Sequence, residues 1–95
     1  MHNTCLEHFY AGDAAWNRFA GLHMDGLSAC AFQDRLCKAL NRHADIAAVV
    51  FARFGPDALT SISKPVPALG GRSIEECTRQ PILVLRLKEC LMRMP

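Results

Sequence analysis

The 95-residue chain has no apolar run approaching the roughly 18 residues needed to cross a bilayer, which excludes a membrane-spanning reading. Its start, MHNTCLEHFYAGDAAW, lacks the basic opening and continuous apolar segment of a secretory leader, so a cytoplasmic protein is expected. It has no internal repeat, low-complexity tract or long linker, and this argues for one domain spanning 1–95. Clusters of one charge sign are also missing. Eleven Lys and Arg residues are scattered for a net charge of +2, which provides no electrostatic footprint for direct nucleic-acid binding.

The chemical signatures are equally sparse. Cys5, Cys30, Cys37, Cys77 and Cys90 form an odd set without CxxC spacing, so neither a disulfide framework nor a zinc ribbon is expected. They read as reduced, small core hydrophobes. His2, His8, His23 and His43 lack HExxH or other tight ligand spacing. Without GxSxG, paired carboxylates in a recognisable frame or a cofactor fingerprint, the chain is not expected to be an enzyme or to carry a metal or cofactor.

What is present is apolar residues at helical spacing. They make up 51% of the chain, more than a domain this small hides easily, since about 60–70% of the unfolded surface is removed from water at this size. Asp13 is placed to cap a helix through Leu22 that gathers Trp16, Phe19 and Ala20 on one side. Gly26 is read as its end, and Ser28 as the cap of a helix from Ala29 to about Arg42. Asp45 starts an apolar helix that Gly55 and Pro56 close, and Pro56 opens a short one through Ile62. The sequence LCKALNRHADIAAVVFARFG has the outline of a DNA-reading pair of helices. Its second member, however, is apolar where a recognition helix presents polar side chains.

The segment PVPALGGRSIEE is the most distinctive. Pro65 and Pro67 hold the chain extended, and Gly70 and Gly71 permit positive φ. Ser73 with Glu76 forms an S-x-x-E capping box that opens a short helix. Pro81 starts a final helix to about Met94, in which Val84, Leu87, Leu91 and Met94 make one stripe, widened by Leu83 and Cys90. No strand pattern appears. The expectation is an all-α, compact bundle of five or six short helices, with N-terminal helices over 1–45 and a distinct helical module over 46–95.

Phe54-Gly55, Ala58, then Pro65-Val-Pro-Ala-Leu-Gly-Gly-Arg-Ser with Glu75 and Glu76, followed by an apolar helix, resembles the C-terminal toxin-binding domain of the Xre/MbcA/ParS antitoxin family. The likeness covers roughly Ala47 to Met94. It implies a non-enzymatic module that neutralises a NAD-consuming RES-type toxin by covering its active site. Pro67, Leu69, Gly70, Gly71 and Arg72 match that family's turn, and Leu91, Met92, Arg93 and Met94 its terminal contact element. On physics alone, a helical anti-activator that disrupts a transcription regulator such as a LuxR-type receptor fits as well. Both readings place partner contacts on Leu69, Arg72, Leu83, Leu87, Leu91, Met92 and Met94, or on Trp16 and Phe19. The surplus apolar surface also predicts a homodimer.

Overall fold

The buried heart of the molecule is the run Ile46-Ala-Ala-Val-Val50, in which no residue is more than 1% exposed. This run lies in α4 (Ala44–Phe54), one of seven helices in a computed structural model that describes residues 12–93. The others are α1 (Asp13–Gly21), α2 (Met24–Ser28), α3 (Gln33–Ala39), α5 (Ala58–Ser61), α6 (Ile74–Cys77) and α7 (Pro81–Arg93), with 3-10 turns at Gly55–Asp57 and Pro67–Leu69. The fold is all-α, and among the described residues no helix is long and apolar enough to cross a membrane. Small side chains at Ala47 and Ala48 let α4 be approached closely, and α1, α2, α3, α5 and α7 all pack on it.

α4 ends as its sequence dictates. Gly55 adopts φ 55° and ψ −130°, a conformation in which a Cβ would be strained, and Pro56 follows it within the Gly55–Asp57 3-10 turn. α3 ends without glycine. The Arg42 N–H donates to the Cys37 carbonyl at 2.7 Å and the Asn41 N–H to that of Lys38 at 3.2 Å, the two bonds of a Schellman closure. That closure holds Asn41 and Arg42 at φ 54° and 63°. Asn41 then ties the turn to the C-terminal half, its Nδ2 donating to Thr78 Oγ1 at 3.0 Å.

Two of the expected helix starts are corrected. Asp13 is the first residue of α1 rather than its cap, a position that Gly12 holds with no side-chain bond. Ser28 closes α2 instead of opening the next helix. Its hydroxyl donates backwards to the Asp25 carbonyl at 2.8 Å, so α3 begins at Gln33. Gly26 lies within α2, a helix that the sequence reading did not contain.

One polar contact locks α1, α4 and α7 together. Trp16 is 0% exposed, and its indole N–H donates to Asp45 Oδ2 at 2.8 Å. Lys88 Nζ stands 3.9 Å from the same oxygen and 5.5 Å from the centre of the indole ring. Asp45 therefore satisfies the one polar atom of the largest core side chain while drawing α7 onto it.

Candidate protein-interaction site

Pro65 and Ser73 pair as an antiparallel bridge, closing residues 65–73 into a compact knuckle between α5 and α6. Its backbone is densely bonded. The Val66 N–H donates to the Arg72 carbonyl at 3.0 Å, and the Val66 carbonyl accepts from Leu69 at 2.9 Å and from Gly71 at 3.1 Å. Gly70 donates to Pro67 at 3.0 Å and Arg72 to Leu69 at 3.3 Å. Gly70 is left-handed at φ 68°, ψ 28°, and Gly71 has φ 83°, which explains the glycine pair.

Leu69 is the peg. It is 0% exposed and inserts into the shared core, where the Pro67–Leu69 turn meets α7. Around it Pro65, Pro67, Ala68, Gly70, Gly71 and Arg72 all face solvent. The knuckle thus presents a largely apolar, proline-stiffened surface on a backbone already fixed by its own hydrogen bonds.

The exit from the knuckle is equally fixed. The Glu76 N–H donates to Ser73 Oγ at 3.2 Å and the Ser73 N–H to Glu76 Oε1 at 2.9 Å, the reciprocal capping box that the spacing predicts. Those bonds to Ser73, backbone first and hydroxyl second, hold the Glu76 carboxyl below its ordinary range, helped by the charges of Arg79 and Arg72. The Glu75 N–H reaches back to the Ile62 carbonyl at 3.1 Å, fastening α6 to the end of α5.

Charge gathers at one point of this surface. A Cβ placed on Gly70 would lie 3.2 Å from Arg72 Nη1 and 3.7 Å from Arg86 Nη1, so the two guanidinium groups converge over the bare glycine. Burial pushes the nearby Cys77 thiol up, and Arg72 and Arg86 partly oppose that shift. Cys30, Cys77 and Cys90 are buried free thiols and Cys37 is half-buried; Cys5 lies outside the described residues. Burial is also the main cause that raises the Cys37 and Cys90 thiols. Among the described residues no group of three or more His, Cys, Asp or Glu side chains is arranged to hold a metal ion.

Most apolar residues assigned to a partner face lie in the core instead. Trp16, Leu69, Leu87 and Leu91 are 0% exposed and Leu83 is 7% exposed. The reason is that the inner stripe of α7 is covered by α1, α4, α6 and the Pro67–Leu69 turn. Phe19 and Met92 are half-buried against the core, Arg72 is exposed, and Met94 lies outside the described residues. Among the described residues, the large apolar side chains that are exposed are others: Leu22 at 79%, Ile82 at 57% and Met24 at 41%. Ile82 could have been found from the sequence, because it falls on the side of α7 opposite Val84, Leu87 and Leu91. Matched against protein-family models, curated proteins and solved structures, the chain has no counterpart in any of the three.

Proposed function

We propose that the protein is a small non-enzymatic inhibitor that binds a partner protein through the 65–72 knuckle and neutralises it by occlusion, as an antitoxin does. The partner class is a RES-type, NAD-consuming toxin, from the resemblance of the Pro65–Ser73 segment and its flanks to the toxin-binding domain of Xre/MbcA/ParS antitoxins. The observation that carries this reading is the contrast within the knuckle. Its single large aliphatic side chain, Leu69, is used to fix it, while Pro65, Pro67, Ala68 and Arg72 are left outside on an internally bonded backbone.

Such a surface loses little conformational entropy on docking, because its φ angles and hydrogen bonds are already set. Proline, alanine and glycine allow a partner's backbone close, and an arginine at the edge supplies direction. The buried stripe of α7 then has a supporting role: it holds the knuckle in place rather than touching the partner. The half-buried Met92 and exposed Ile82 lie on α7 and would extend the contact beyond the knuckle.

The test is to look for a RES-type reading frame beside the one that encodes this chain and to co-express the two proteins. Growth and cellular NAD, depleted by the enzyme alone, should recover when the chain is present, and the two proteins should copurify. An enzyme that stays active with the chain in excess, or the lack of any such neighbouring reading frame, counts against the assignment.

A further inference from the structure

We infer that the open cavity between the start of α4 and the α6–α7 connection binds a small amphipathic carboxylic acid, an aryl or alkyl body carrying one carboxylate. The cavity measures about 380 Å³ and is lined by His43, Thr78, Arg79, Gln80, Pro81 and Val84. It lies outside the 65–72 knuckle and does not depend on the partner-binding role proposed there. Its walls are fixed by the fold's own bonds. Asn41 Nδ2 donates to Thr78 Oγ1 at 3.0 Å, which clamps the α3–α4 turn to the α6–α7 connection. The Thr78 hydroxyl in turn donates to the Glu75 carbonyl at 2.7 Å, and Thr78 is only 5% exposed. Backbone bonds from Arg79 to Glu76 at 3.2 Å, from Val84 to Gln80 at 2.9 Å and from His43 to Leu40 at 3.1 Å hold the other sides. A cavity set in this way loses little conformational entropy when a ligand binds.

The chemistry of the lining selects the ligand. Pro81 and Val84 supply hydrocarbon, while His43, Arg79 and Gln80 supply side-chain N–H donors. Among the described residues these three side chains make no hydrogen bond or ion pair, so their donors are available. Glu76 is the acidic neighbour of Arg79 and feels its charge, but that carboxylate accepts the Ser73 N–H at 2.9 Å and forms no ion pair with Arg79. Arg79 is the one permanently charged side chain of the lining, which suits a monoanion better than a polyphosphate. Its planar guanidinium edge matches a carboxylate, and the apolar part of the lining requires that the anion carry hydrocarbon. At about 30 Å³ for each water-sized group, the space takes roughly a dozen non-hydrogen atoms, the size of a phenyl-substituted or short alkyl acid.

The experiment titrates the isotope-labelled full chain with 3-phenylpropionate, 3-phenylpropanol and inorganic phosphate, following the backbone amides of His43, Thr78, Arg79, Gln80 and Val84 by NMR. The expected result is a saturable shift of these amides by 3-phenylpropionate, with a dissociation constant on the order of 1 mM for so few atoms. The alcohol keeps the ring and loses the charge, so it should bind at least about tenfold more weakly. Arg79→Gln should weaken binding of the acid about tenfold, whereas Arg18→Gln, which removes a cation on α1, should leave it unchanged, with circular dichroism verifying the fold of both variants. Absence of a saturable shift up to about 20 mM acid overturns the inference. So does equal binding of acid and alcohol, because the carboxylate is then not recognised. Phosphate producing the same shifts at equal concentration also overturns it, by making the cavity a general anion site. Unchanged binding in Arg79→Gln, or equal weakening in both variants, does so too, since net charge and not the cavity would then be responsible.

Discussion

Replacing Asp45 by alanine leaves the indole N–H of a fully buried Trp16 without its acceptor, since Asp45 Oδ2 at 2.8 Å is the contact that satisfies it. An unsatisfied buried donor costs about 1–3 kcal/mol. Loss of the first-turn charge at the start of α4 adds about 0.3–1 kcal/mol, and loss of the Lys88 contact adds less than about 1 kcal/mol. The total, about 1–5 kcal/mol, is a large share of the roughly 5–14 kcal/mol expected for a domain of this length. Asp45→Asn keeps a carbonyl oxygen for the indole and removes only charge, so its cost should be about 1 kcal/mol. Trp16 is the sole tryptophan, so urea unfolding followed by fluorescence reads the site and circular dichroism reads the whole chain. The melting temperature should fall by about 4–8 °C for each kcal/mol lost. Equal losses in the two variants, or a loss below about 0.5 kcal/mol in Asp45→Ala, would refute the view that the acceptor secures the core.

Leu69→Ala should destabilise by about 2–5 kcal/mol in chemical denaturation, because a fully buried peg is lost. Gly71→Ala meets no atom within 4 Å but must hold φ 83°, so it should cost about 1–2 kcal/mol from backbone strain alone; a neutral result would mean the turn can relax. Ser73→Ala removes the cap of α6 and should cost about 0.5–2 kcal/mol. The Glu76 carboxyl is held low in the folded state, so its stabilisation is present above the usual glutamate range and lost as pH falls through the depressed value. Glu76→Gln should therefore flatten the acid limb of melting temperature against pH, and an unchanged limb would contradict the capping role. Leu91→Asp places a charge at a site with 0% exposure and should abolish helical circular dichroism, whereas Ile82→Asp, at 57% exposure, should leave it intact.

The features that were legible in the sequence are local ones. The capping box, the Gly55-Pro56 stop and the start of α7 at Pro81 are each fixed by neighbouring residues whose backbone preferences agree. Ser28 misled because a serine hydroxyl bonds forward as a cap or backward to a carbonyl with similar ease, and here Asp25 receives it. Asn41 and Arg42 gave no glycine to mark the left-handed turn, although Asn tolerates that conformation. The larger gap was on α7. A stripe of Val84, Leu87 and Leu91 says that one face is apolar but not whether a partner or the chain itself covers it. That is decided by long-range packing against α1 and α4. The same holds for the Arg72–Arg86 convergence, since residues fourteen positions apart in the sequence meet only through the fold.

The account depends most on the knuckle being the surface a partner touches, and Ala68 offers the cleanest probe because its side chain points outward from a turn that Leu69 holds in place. The decisive measurement is the affinity of the purified RES-type enzyme for Ala68→Trp and wild-type chains by isothermal titration calorimetry, with unchanged melting temperature verifying the fold. The account predicts that binding by Ala68→Trp falls at least about a hundredfold, since a well-packed contact tolerates no such bulk. Wild-type affinity in a folded Ala68→Trp protein would contradict it.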